Sequence, residues 1–241
     1  MDREIFLTFD VEAYSVPAEF GERKRPDNFP SKTGLEYLLS TVGKATYFVT
    51  IDFARKFPKL VGEIPKRGNE LALHGEISRA RRERKILEKI SGRKVRGFRA
   101  HRFSASEKEI AGLATLGFSY DSSINPTFVP GRYSRLSAPT SPHKIGEITE
   151  IPISTFCGIP LSFLWFRLLP RAFLDLAAGK IERQVYYFHP WEFLPVTGNA
   201  LRTKLVAAGC GERFLKKFEA HFLRLEKAGA EFRTLSGIKV Q

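Results

Sequence analysis

The chain has 241 residues, 43% of them hydrophobic and 27% charged, the balance of a packed globular protein with material for one sizeable core. No stretch approaches the roughly 20 apolar residues of a membrane-spanning helix, and the only two cysteines, Cys157 and Cys210, follow no metal, redox or disulfide-framework spacing. The formal charge of +13 bears on partners rather than fold.

Residues 4–10 (EIFLTFD) read as a buried strand ending in an acid. The charged N-terminus enters this strand at once, unlike a secretory signal peptide, so a cytoplasmic protein, or one peripheral to a membrane, is the expectation. Residues 15–30 hold Pro17, Gly21, Pro26 and Pro30 and predict a loop. Residues 31–42 predict a helix, with Ser31 as cap and Leu35, Leu38, Leu39 and Val42 on one stripe. A second strand (45–50, ATYFVT), a short helix (51–61) and a third strand (70–74, ELALH) follow.

Residues 79–90 form a strongly basic helix with Ile86, Leu87 and Ile90 inward. Its charge fits a solvated face laced with i,i+4 pairs, or contact with an anionic glycan or an anionic membrane surface. No zinc-finger spacing, RNP-type strand or helix-turn-helix accompanies it, so no nucleic acid partner is expected. The strand and loop 95–103 (VRGFRAHRF) precede a helix at 106–116, where Ser106 and Glu109 make a capping-box start and Gly117 ends it. A short strand (118–121), a Pro/Gly/Ser-rich loop (125–145), a strand (150–156), a helix (163–178) and a compact strand (185–189, VYYFH) come next. An amphipathic helix (212–228) and a last strand (231–235) complete the pattern, while residues 195–211 read as lid-like loop material. Two glutamines and one methionine among many Lys, Arg and Glu give a thermophilic composition.

Strands and helices alternate throughout, and the strands are short and apolar. That predicts an α/β fold spanning residues 1–241, a barrel of mostly parallel strands rather than a doubly wound sheet, since the first βα turn lacks phosphate-binding glycines. Sites in such barrels lie at the carboxyl ends of the strands. There the sequence places Asp10 and Glu12, His74, Arg99 with His101, Asp121, and His189 with Trp191 and Glu192. Each alone has a plain reading as helix cap, structural ion pair or core histidine; together they mark one rim.

Several of these residues stand in motifs. Thr8-Phe9-Asp10-Val11-Glu12, His74-Gly75, Gly97-Phe98-Arg99-Ala100, Gly117 to Ser123, and Phe188-His189-Pro190-Trp191-Glu192-Phe193 resemble, in order, the motifs of the polysaccharide deacetylase (chitooligosaccharide deacetylase-like) family. Glu150-Ile151-Pro152 and Phe166-Arg167-Leu168-Leu169-Pro170 resemble its exopolysaccharide-associated branch. The resemblance implies a distorted (β/α)7 barrel and a hydrolase, aided by a zinc-like divalent metal, that removes N-acetyl groups from an amino sugar in carbohydrate metabolism or cell-surface polysaccharide synthesis. It implies Asp10 as base, His189 as acid and Arg99 as orienter, with Tyr120, Trp191 and Arg167 contacting an N-acetylated glycan or lipid-linked sugar.

The metal motif departs from the family. Position 11 is Val, and Ser78 stands where a second histidine is usual. A rebuilt set of Glu12, His74 and His101 is the expectation for a metal; otherwise the chain is a silent relative that binds a glycan or a partner enzyme. Hydrolysis of a non-sugar amide is a third reading.

Overall fold

The computed structural model describes residues 3–13, 15–22, 30–130 and 133–238. Strand β1 (Glu4–Val11) is followed by α1 (Val16–Glu19), α2 (Pro30–Thr41), β2 (Thr46–Val49), α3 (Ile51–Lys56), α4 (Pro58–Lys66), β3 (Glu70–Gly75), α5 (Ala80–Ser91), β4 (Gly97–Ala100), α6 (Glu107–Gly112) and β5 (Tyr120–Asp121). A hairpin of β6 (Phe128–Val129) and β7 (Tyr133–Ser134), the pair β8 (His143–Ile145) and β9 (Ile148–Glu150), and a hairpin of β10 (Thr155–Phe156) and β11 (Ile159–Pro160) come next. The chain then runs through α7 (Phe163–Leu168), α8 (Arg171–Lys180), β12 (Arg183–Phe188), α9 (Leu201–Val206), α10 (Glu212–Lys227) and β13 (Glu231–Phe232).

The main sheet has the order β12-β1-β2-β3-β4-β5-β9-β8, with β13 beside the first two residues of β1. Every pairing in it is parallel except β8 with β9. The curled sheet is drawn toward closure at Ser154. Its N–H donates to the Val185 carbonyl at 3.0 Å, and its hydroxyl accepts from the Val185 N–H at 2.8 Å. The expected distorted, mostly parallel barrel is therefore the fold found.

Alternation along each strand decides what faces the interior. On β1, Ile5, Leu7, Phe9 and Val11 join the layer beneath the helices, whereas Phe6 joins a smaller inner cluster with Phe48, Ala72, Tyr120 and Val185. Two residues further along the same face stands Thr8, then Asp10. Outside β1 and β12, Phe214, Phe218 and Phe222 of α10 pack in ring contact with Phe9, Phe188 and Phe193. This aromatic layer fixes the two strands that carry Asp10 and His189.

Several boundaries differ from the sequence expectations, for local reasons. Pro170 divides the predicted 163–178 helix into α7 and α8, because the residue before a proline leaves the helical region. The predicted 150–156 strand is likewise two elements, β9 and β10. Part of the 125–145 loop is ordered into β6, β7 and β8, and the lid-like stretch carries α9. Of the 15–30 loop, residues 23–29 lie outside the described residues, as do 131 and 132 of the later loop. The Ser106–Glu109 capping box is present in full at the start of α6.

Candidate active site

Asp10, Glu12, His74, His101, His189 and Trp191 all line one cavity of about 770 Å³ at the carboxyl ends of the strands. Asp10 lies one register step beyond the Phe9–Phe188 pair, so His189 stands next to it on the neighbouring strand. His74 pairs with Arg99 in the β3–β4 register.

Arg99 is fully buried and fixes Asp10. Its Nη1 donates to Asp10 Oδ1 at 2.7 Å and to Thr8 Oγ1 at 2.8 Å, and its Nε and Nη2 donate to the Ser122 carbonyl and hydroxyl. The Phe48 ring lies 4.0 Å beneath the guanidinium. Burial pushes the Asp10 carboxyl up, but the positive Arg99, His74 and His189 outweigh it and hold it below the usual range. Asp10 is thus ionised.

His189 has the opposite bias. Burial disfavours its charge, yet the Glu192 carboxylate, with Asp10 and Glu12 further off, raises its pKa overall. One Glu192 oxygen accepts from the His189 backbone N–H at 2.8 Å and from ring Nδ1 at 3.1 Å. The other lies 2.9 Å from Arg167 Nη1, in a pair both of whose side chains are buried. The Trp191 ring stacks on the imidazole at 5.1 Å. With Nδ1 occupied, Nε2 remains for a substrate.

The donor set of Glu12, His74 and His101 places one ligand atom of each within 4.8 Å of the others. His74 Nδ1 faces the Arg99 carbonyl at 2.9 Å and Nε2 faces Glu12 Oε1 at 3.2 Å. An Nδ1–H donated to that carbonyl makes Nε2 the ligand atom, which gives up its proton when a cation binds, the usual outer arrangement of a metal-binding histidine. Two donors on one tetrahedral zinc-like ion lie about 3.3 Å apart, close to the His74–Glu12 spacing. His101 meets His74 edge-on at 4.5 Å, and its buried Nε2 has no protein partner among the described residues. Burial and the neighbouring His74 hold the His101 pKa down, keeping the ring neutral as a ligand must be. A divalent cation fits these residues. Arg102 and Phe103, at φ 56° and 58°, form the tight reversal after β4 that turns His101 to this point. Ser78 is exposed and lies outside the cavity.

Two sequence expectations need correction. Tyr120 is not at the mouth. Its ring fills the space beside Gly97 inside the barrel, near Glu70 at the opposite end of β3, where burial and then that carboxyl raise its pKa. Arg167 does not face the cavity either; it is spent on Glu192 from behind. The aromatic walls of the cavity include instead Phe163 and Trp165, with Tyr133 and Phe20. The dense apolar run at 161–169 contains the first two, but spacing alone did not separate wall from core. Asp121 is fully buried and bound to Ser123 and Glu150, away from the cavity.

Residues 122–235 match a family model described as a domain of unknown function (DUF3473). Among solved structures, the chain is similar to a protein from Mycobacterium smegmatis named as a polysaccharide deacetylase, at 20% identity and a TM-score of 0.58, covering 98% of this chain and 94% of that one. It is similar to a CE4-family pseudoenzyme from Bacillus anthracis at 11% identity and a TM-score of 0.55, covering 98% of this chain and 64% of that one. A polysaccharide deacetylase from Bacillus cereus matches at 14% identity and a TM-score of 0.51, covering 99% and 95%. A comparison with the curated proteins found no match. The shared feature is the fold, that of the polysaccharide deacetylases.

Proposed function

We propose that this chain, on its polysaccharide deacetylase fold, is a member of that family which hydrolyses N-acetyl groups from an amino sugar, with Asp10 and His189 as the working pair. The observation that carries the reading is that a carboxyl with a lowered pKa and an imidazole with a raised one face one cavity from adjacent strand ends, beside a three-donor group suited to a cation. Environments that push two titratable groups apart in this way assign the base and the acid.

A divalent cation held by Glu12, His74 and His101 would polarise the acetamide carbonyl and ease deprotonation of a nearby water. Asp10 accepts the proton of the attacking water through Oδ2, since Oδ1 is taken by Arg99. His189 donates its Nε2 proton to the departing nitrogen, so that acetate and a free amine leave. Arg99 keeps the base ionised and aimed; Glu192, backed by Arg167, favours the protonated acid and fixes the orientation of its ring. Phe163 and Trp165 offer apolar faces on which a sugar ring stacks.

The reading is tested by acetate release from defined N-acetylated amino-sugar oligomers, with cyclic amides in parallel. Release from the oligomers alone, lost by about 10²–10⁴-fold in Asp10→Asn, supports it. Turnover of the cyclic amide alone transfers the site to non-sugar amides. The displaced second histidine favours one alternative, a silent glycan-binding relative; such a protein would bind the oligomer without releasing acetate.

A further inference from the structure

Beside the cavity lies a surface that the chemistry above does not use. On α7, Trp165 and Leu168 point outward; on α9, Leu201 and Leu205 do so, one turn apart. The four are between 47% and 71% exposed. Phe128, on the β6–β7 hairpin, is 56% exposed as well. These side chains share one rim. Trp165, Val206 and Val129 all line the cavity, and Arg167 of α7 donates to the Val206 carbonyl at the end of α9 at 2.6 Å. Thr203, on the other side of α9, is buried and donates to Glu22, so the helix has a fixed inner and outer face.

The exposed charge of these segments is mostly basic, and nearby acids are already engaged: Glu22 by Asn199, Ala200 and Thr203, Glu19 by Arg102, and Asp175 by Arg171 and Arg224. From residue 151 to 174 and from 193 to 211 the sequence contains no Asp or Glu, while Arg171, Arg202 and Lys204 are exposed there. Leu201 and Leu205 thus alternate with Arg202 and Lys204 on one short helix, next to an outward tryptophan. Apolar and aromatic side chains ringed by Lys and Arg, on a chain of net charge +13, are complementary to an anionic lipid headgroup layer. They suit a second copy poorly, because it would bring the same predominantly basic face.

We infer that the rim formed by α7, α9 and the β6–β7 hairpin docks on an anionic membrane surface, with the cavity mouth toward the bilayer. No helix among the described residues is long and apolar enough to cross a membrane, so the attachment is peripheral. Binding is read without catalysis, and the inference therefore stands apart from the deacetylase reading. Where both hold, the amino sugar is presented from a lipid carrier at that surface.

The test is co-flotation of the full chain with vesicles of neutral lipid, or of neutral lipid mixed with phosphatidylglycerol, at low and high salt. The double variant Leu201→Glu/Leu205→Glu runs alongside, its fold checked by thermal melting. The expected result is flotation with the anionic vesicles only, weakened by salt, and about tenfold or more weaker in the double variant at an unchanged melting temperature. A lysine-only control, Arg202→Lys/Arg171→Lys, keeps the charge and should bind like the parent. Failure to float with anionic vesicles, equal flotation of the Glu variant, or a variant that loses self-association while vesicle binding is absent throughout, each overturns the inference.

Discussion

Glu192 joins His189 to Arg167: one carboxylate oxygen lies 3.1 Å from the imidazole Nδ1 and the other 2.9 Å from the guanidinium. Against the cost of burial, the carboxylate behind the imidazole raises its pKa, and a buried guanidinium is ion-paired with that carboxylate from the other side. In Glu192→Gln the histidine loses its partner and its pKa falls. In the proposed reaction His189 acts in its acid form, so the alkaline limb of the pH–rate profile is expected to move to lower pH. The same substitution strands Arg167, and unpairing a buried charge costs about 3–5 kcal/mol, read as a lower denaturation midpoint. A profile that keeps its alkaline limb would remove Glu192 from the acid's support.

In the proposed cation site, His101 supplies the donor that the sequence pattern at position 78 lacks. His101→Ala is expected to weaken divalent-ion binding by at least about 100-fold in calorimetric titration, more than the 10–100-fold of losing an outer partner. Ser78→Ala, at an exposed position away from the cavity, leaves the affinity unchanged. Equal affinities in all three proteins would place the cation elsewhere.

Gly34 lets α2 pack directly on the segment after His189. A methyl group added there would stand 1.9 Å from the Pro190 carbonyl oxygen, a backbone atom that cannot swing away. Gly34→Ala is expected to destabilise by about 1–3 kcal/mol and to lower kcat by displacing His189. Gly43→Ala, with open space around it, does neither, and thermal melts of the two variants check the contrast.

Asp121 and Glu150 face each other across the β5–β9 ladder, both fully buried. Burial first, then each other's charge, pushes Glu150 well above its usual range, so the folded pair retains a proton that the unfolded chain has released. The folded state therefore binds more protons above the ordinary glutamate pKa. The stability from this pair is whole below that value and is lost as pH rises through the raised one. Glu150→Gln should flatten this decline in denaturation midpoints taken from pH 5 to 9. An unchanged slope would show that the pair does not set it.

The fold was legible because short apolar strands and periodic helices repeat in order, and strand-end polar residues then name the rim. Asp10, His74, Arg99 and His189 occupy inward positions at that rim, as alternation along their strands requires. Tyr120 was misplaced by the same rule: two residues of β5 are too few to show the period, and the side chain belongs one layer below Arg99, beside Gly97. Arg167 looked available because its buried partner, Glu192, lies 25 positions away in sequence, and such a pair leaves no local spacing. The use of His101 was legible only as chemistry, as an imidazole near a place where one was missing; the backbone reversal at Arg102 and Phe103 that brings it in has no sequence signature.

The most direct measurement is acetate release from an N-acetylated amino-sugar oligomer by protein stripped of divalent ions, then resupplied with them. The account predicts negligible release from the stripped protein, recovery on adding zinc or a similar ion, and no recovery in Asp10→Asn or His101→Ala. Folded parent protein that binds the oligomer yet releases no acetate with any added ion would contradict it.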